Sequence, residues 1–121
     1  MAEKIKQTVF IYANFAGVNS FTYTINNVMF KPTHMIVRNI SFISATAASN
    51  LVVLSSDLSA YRPLAVFATV GSGTVNLKTD SYFPLNKDIN GTYTFNLLSY
   101  SNSPLSLTGS IGIQLELIST S

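Results

Sequence analysis

The chain has no cysteine, no tryptophan and a single histidine, and it is poor in charge. Without cysteine there is neither a disulfide framework nor a thiolate metal site, a usage that suits a reducing compartment. No stretch reaches the roughly 20 apolar residues that span a bilayer, and MAEKIKQTVF lacks the apolar run of a signal peptide. These absences predict a protein made and used in a cytoplasm, with no membrane span.

Charged residues make up 10% of the 121 positions, against roughly 25% in an average globular domain. Seven Lys and Arg face five Asp and Glu, a net charge of +2. The basic residues Lys4, Lys6, Lys31, Arg38, Arg62, Lys78 and Lys87 are scattered. A nucleic-acid binder clusters them and interleaves aromatics, so no direct nucleic-acid contact is expected. The polar surface must instead come from 16 Ser, 12 Thr and 11 Asn. Hydroxyls and amides cost less to desolvate than charges, and charge is depleted at the core of protein interfaces.

What is present in quantity is apolar and aromatic: 47% hydrophobic residues, with eight Phe and six Tyr. That is enough to bury the core of one domain over residues 1–121, with 1–5 as a flexible tail. The pattern has period two almost throughout. Strands are predicted at 7–13, 21–26, 34–43, 50–56, 63–70, 73–80, 91–100 and 109–119. Turn residues separate them: Gly17, Asn26-Asn27, Lys31-Pro32, Gly71-Ser72-Gly73, Asn90-Gly91 and Ser103-Pro104. HMIVRNISFI carries apolar residues on both faces, which suggests a central strand between two layers. The one helical candidate is a capped turn in SSDLSAYR. About eight strands so punctuated predict an all-β antiparallel sandwich, a single jelly roll. Tyr23, Val37, Val53, Phe67, Phe95, Leu97, Ile113 and Leu115 are the predicted core.

In GTYTFNLLSY, Tyr93, Phe95 and Leu97 share one face, while Thr92, Thr94, Asn96 and Leu98 share the other. That second face is polar without a charge, and Thr22, Thr24 and Asn26 repeat the choice. Thr has high strand propensity, so part of the pattern needs no partner. Leu98 and Tyr100 add apolar area, as a surface meant to be covered would.

Residues able to carry catalysis are few. His34 is the natural general base near neutral pH, but no nucleophile elbow or metal motif surrounds it. Glu3 and Glu116 fall in a tail and a strand, and Asp57, Asp80 and Asp88 in loops, where aspartates ordinarily cap turns. The three aspartates could meet at one end of a sandwich around Ca²⁺, though no DxDxDG spacing occurs. No catalytic residue, cofactor or metal is expected, and the chain is read as a non-enzyme. The sequons Asn39-Ile40-Ser41 and Asn90-Gly91-Thr92 are the number that chance gives in so Asn- and Ser-rich a chain. SAYRPL and SYFPL set Tyr61, Arg62, Tyr82 and Phe83 beside prolines. Tyr and Arg are favoured at interfaces, and these four could equally form a carbohydrate- or receptor-binding platform, or cover the ends of the core.

Five segments in order, IVRNISF, LSSDLSAYRPLAVF, YFPL, NGTYTFNLLS and SPLSLTGSIGIQLELI, resemble the small single jelly-roll minor capsid, penton and cement proteins of virophage, polinton-like, adintovirus-type and giant double-stranded DNA viruses. The resemblance covers residues 34–118. It implies a virion component, assembled in the host cytoplasm, that forms a homo-oligomer (a trimer or pentamer) and contacts a larger capsid protein. It brings no active-site residues. Tyr61, Arg62, Tyr82, Phe83, Leu98 and Tyr100 are the predicted interface residues, and oligomerisation would also cover strand edges that carry few guard charges.

Overall fold

A computed structural model of the protein describes residues 4–45, 50–59, 62–69, 72–85, 88–99, 101 and 103–120. Eight strands form: β1 (Lys4–Val18), β2 (Ser20–Ile25), β3 (His34–Ser44), β4 (Asn50–Ser56), β5 (Pro63–Thr69), β6 (Gly73–Pro84), β7 (Gly91–Leu98) and β8 (Leu107–Thr120). All pairings are antiparallel. β1 pairs with β8, β2 with β7, β3 with β6 and β4 with β5, so the chain is one long hairpin folded at its middle. Rolling that hairpin adds the pairs β3–β8 and β4–β7. Two four-stranded sheets result, a first sheet of order β1-β8-β3-β6 and a second of order β2-β7-β4-β5. This is the jelly roll that the sequence predicts.

The alternating pattern sets which side of each strand faces in. Ile111, Ile113, Leu115 and Leu117 of β8 are buried, as are Val52 and Leu54 of β4 and Phe95 and Leu97 of β7. Five phenylalanines stitch the two sheets together. Phe95 stacks on Phe21 at 5.0 Å and Phe21 on Phe15 at 5.9 Å; Phe15 meets Phe42 at 5.8 Å, and Phe42 meets Phe67 at 5.3 Å. Such offset and tilted ring pairs add to plain area burial. Of the predicted core, Val37, Phe67, Phe95, Leu97, Ile113 and Leu115 are buried in it. Val53 is instead covered by neighbours on the outer face of β4, where Val52 and Leu54 point inward, and Tyr23 is half-buried with its hydroxyl donating to the Phe10 carbonyl at 3.0 Å. Among the described residues, every buried side-chain polar atom has a partner.

Several boundaries differ from expectation. β1 begins at Lys4, so Lys4 and Ile5 pair with Thr120 and Ser119 instead of joining a tail. Gly17 lies inside β1, at a break in register between Phe15 and Val18, with φ 61°. β6 runs through Asp80 to Pro84, where a loop was expected. β3 is internal to its sheet but has only one covered face, because Ile43 is exposed on the other. The helical candidate reduces to a 3-10 turn, Asp57–Ser59, whose Leu58 N–H donates to Ser56 Oγ at 3.1 Å. Residues 46–49 and Gly71 lie outside the described residues.

One tie joins the loops at the end of the sandwich where β3 begins. The Asn90 side-chain amide grips the Val28 backbone from both sides, accepting from its N–H at 3.0 Å and donating to its carbonyl at 2.9 Å. Asp88 Oδ1 in turn accepts from the Asn90 backbone at 3.0 Å and from its side chain at 3.1 Å. The Asn90 side chain, once read as half of a chance sequon, is a clamp between the β2–β3 and β6–β7 connections.

Candidate interaction surfaces

Every Lys, Arg, His, Asp or Glu that lies in a strand belongs to the first sheet: Lys4, Lys6, His34, Arg38, Lys78, Asp80 and Glu116. β2, β4, β5 and β7 contain none. The polar, chargeless face of β7 is therefore one stripe of a whole sheet face of that kind. The two outer faces have different chemistry.

On the first sheet the charges form a row across all four strands. Arg38 stands at a break in the β3 register, between Val37 and Asn39, which lets its guanidinium reach both neighbouring strands. It donates to Asp80 of β6 at 2.7 Å and to Glu116 of β8 at 3.1 Å, and Lys6 of β1 lies 3.9 Å from Glu116. Asp80 first and then Glu116 hold Arg38 still more firmly protonated. This row crosses β1, β8, β3 and β6 with alternating sign, and so favours that strand order over its alternatives. Beyond the row the same face turns neutral over β1, β8 and β3, with Lys78 at its β6 side. Phe10 and Tyr12 of β1, opposite in direction to buried Ile11, are 65% and 60% exposed. Across from them stand Gln114, Asn39 and Ser41, with Gly112 between. They line a hollow of about 270 Å³.

The outer face of the second sheet is polar on one side and apolar on the other. Thr22, Thr24, Thr92 and Thr94 occupy the β2–β7 half, with Thr24 and Thr92 hydroxyls bonded at 2.8 Å. In the β4–β5 half, Val53 pairs with both Val66 and Leu98, and Leu51 pairs with Ala68. Val53 is buried among these neighbours, while Val66 is 48% exposed and Leu51 is also exposed. Leu98 is further bridged by Pro104, where the chain after β7 turns back. Asp57, just past β4, accepts from the Thr94 backbone N–H at 3.0 Å, so the nearest carboxylate is occupied with a turn.

The predicted interface residues scatter. Arg62 is exposed after the 3-10 turn, its backbone tied to Ser59 by bonds of 3.1 and 2.7 Å. Tyr82 is exposed on the first sheet, its ring 4.9 Å from His34. Leu98 is half-buried on the second. Phe83 is a correction: it is 8% exposed and belongs to the core, opposite Met35. Because β6 extends to Pro84, strand alternation turns Tyr82 outward and Phe83 inward. Tyr61 and Tyr100 lie outside the described residues. The platform of Tyr61, Arg62, Tyr82 and Phe83 thus loses Phe83.

The candidates for chemistry are likewise separated. His34 Nδ1 is 2.9 Å from Thr33 Oγ1, Asp80 is held by Arg38 on the first sheet, Asp57 caps β7 and Asp88 caps Asn90. Asp57 and Asp88 both act on Tyr93, whose hydroxyl donates to the Ile89 carbonyl at 2.7 Å. Burial first, and then those two carboxylates, push the Tyr93 phenol up from its ordinary value. Among the described residues, no group of three or more His, Asp or Glu is arranged to hold a metal ion. Sequence reasoning passed over Phe10 and Tyr12. Their signal was the double-faced run VFIYA, in which large side chains on both parities mean that one set must face outward.

No protein-family model matches the chain, and no curated protein sequence matches it. Solved structures resemble it in fold. The core of Drosophila NLP, a study of pentamer formation and histone binding, is 17% identical with a TM-score of 0.45, over 92% of this chain and 96% of that one. The cyanophage Pam1 capsid is 14% identical with a TM-score of 0.42, over 98% of this chain and 84% of that one. The CBM36-1 domain of a xylanase from the hindgut metagenome of Trinervitermes trinervoides is 14% identical with a TM-score of 0.39, over 90% of this chain and 96% of that one. The likeness is one of fold.

Proposed function

We propose that this protein is a structural component of a virus particle, a minor capsid, vertex or cement protein that acts by self-assembly and by contact with a larger capsid protein. The observation that carries the assembly role is the second sheet, four strands without one Lys, Arg, His, Asp or Glu, whose outer face holds the apolar strip of Leu51, Val53, Val66, Ala68 and Leu98. An outer sheet face left in water gains from charges, whereas one buried against a partner loses by them. The viral setting comes from the resemblance of residues 34–118 to small single jelly-roll virion proteins. Its activity is then geometric: a homo-oligomer, trimer or pentamer, built in the host cytoplasm and carried in the virion. No cofactor and no catalytic residue enters.

Val66→Glu tests the assembly role. The site is half-exposed in the single chain, so a surface substitution there shifts folding by about 0.5 kcal/mol. In an interface the same carboxylate is buried without a partner, at a cost of about 3–5 kcal/mol. Light scattering on the two proteins should show the assembled form lost in the variant, while circular dichroism shows the variant still folded. Unchanged mass in Val66→Glu removes this face from the interface. Co-sedimentation of the wild type with intact particles checks the virion assignment.

A further inference from the structure

We infer that the neutral part of the first sheet's outer face is a binding groove for an uncharged saccharide, a ligand site separate from the assembly face. The groove has two unlike walls. On one side Phe10 and Tyr12 project from β1 with most of their ring surface in water, and the Tyr12 hydroxyl is anchored by donation to Asn14 Oδ1 at 3.0 Å. On the other side the amides form a fixed pair, Asn39 Nδ2 donating to Gln114 Oε1 at 2.8 Å. Ser41 Oγ donates to Asn76 Oδ1 at 3.0 Å in the next row. Gly112 forms the floor, and a Cβ added there would meet no atom within 4 Å. A second hollow of about 450 Å³ continues over β3 to β6, shares Asn39, Ser41 and Gln114, and has Lys78 of β6 at its far wall.

The bonds within the polar wall decide what can lie in the groove. Once Asn39 and Gln114 have bonded each other, the Asn39 Oδ1 acceptor and the Gln114 Nε2 donor remain, side by side, and Asn76 keeps its Nδ2 donors. A wholly apolar partner would strand these groups, at a cost for each. A pyranose ring satisfies both walls at once. Its C–H face lies against the electron-rich faces of aromatic rings, and its hydroxyls donate and accept along the edge. Selectivity for an uncharged sugar follows from the lining of the first hollow, which has no Lys, Arg, His, Asp or Glu. A site that is mostly apolar with a few fixed polar groups is the ordinary form of a small-ligand pocket.

The test is a glycan array carrying neutral, sialylated and sulfated oligosaccharides, followed by titration calorimetry with the neutral oligosaccharide that binds best. Tyr12→Ala and Gly112→Val are compared with the wild type. Gly112 has no positive φ, so valine fills the floor without forcing the backbone. Expected is retention of neutral glycans, with affinity at least tenfold weaker in each variant and native mass unchanged. No neutral glycan retained, retention of charged glycans alone, or equal affinity in both folded variants overturns the proposal. So does a changed native mass in Tyr12→Ala, which would make this face a contact between copies. Circular dichroism confirms that each variant is folded, and if Gly112→Val is not, Tyr12→Ala decides alone.

Discussion

Replacing Asn90 by Ala should loosen the end of the sandwich where the β2–β3 and β6–β7 connections meet. The Asn90 amide makes two bonds to one residue, to the Val28 N–H at 3.0 Å and to its carbonyl at 2.9 Å. Val28 itself is buried, so alanine leaves a backbone donor and an acceptor without partners in a place water reaches poorly. Each such group costs on the order of 1–3 kcal/mol, and partial hydration at a loop brings the pair to about 2–4 kcal/mol. For a chain of this length roughly 4 °C follows each kcal/mol, so the melting temperature should fall by about 8–16 °C. Asn90→Asp keeps the acceptor, loses the donor and sets a second carboxylate beside Asp88, so at neutral pH it should be no more stable than Asn90→Ala. The assay is thermal unfolding followed by circular dichroism at one fixed protein concentration, since assembly makes the midpoint concentration-dependent. A fall of less than 2 °C for Asn90→Ala would refute the clamp.

Two other predictions rest on single residues. Tyr93 has a folded-state pKa above its ordinary value of 10.0, so its contribution to stability is complete below that pH and lost as pH rises through the higher folded value. Ultraviolet titration should show a late-ionising step that Tyr93→Phe removes; an identical titration curve apart from one uniform loss of amplitude in the variant would contradict this. At Gly109 a Cβ would drive into the Ile43 carbonyl oxygen. Gly109→Ala should therefore cost on the order of 3 kcal/mol or more, whereas Gly112→Ala, built into open space, should be neutral or stabilising by up to about 1 kcal/mol. Equal melting temperatures for the two would show that the first sheet yields more easily at its β3–β8 pair than its geometry allows.

Much of the fold was legible because burial here follows strand alternation. The runs at 50–56 and 91–98 announce themselves by branched or aromatic residues between turn signals. In 91–98 the inward Phe95 and Leu97 are the ones expected, whereas in 50–56, apolar on both parities, Val52 and Leu54 turn inward and the expected Val53 outward. What misled was local composition. Asp80 looks like a turn-capping aspartate at the end of a strand, yet β6 continues through it because Arg38, at a break in register on β3, supplies it a partner. The same mistake set Phe83 among surface residues, since its direction depends on a strand whose continuation no local signal marks. Ile43 made β3 look covered on both sides, when one of those sides is solvent. The strand order was not legible, because β1 meets β8 through pairing across almost the whole chain. Nor was the separation of charge between the sheets: it emerges only when Arg38, Asp80, Glu116 and Lys6 are seen to share one sheet.

The most direct measurement is the native mass of the purified wild-type protein by multi-angle light scattering at micromolar concentration. A chain whose second sheet is chargeless because a partner covers it should run as one discrete species, three or five times the mass of the single chain. A strictly monomeric, freely soluble protein across that range would contradict it.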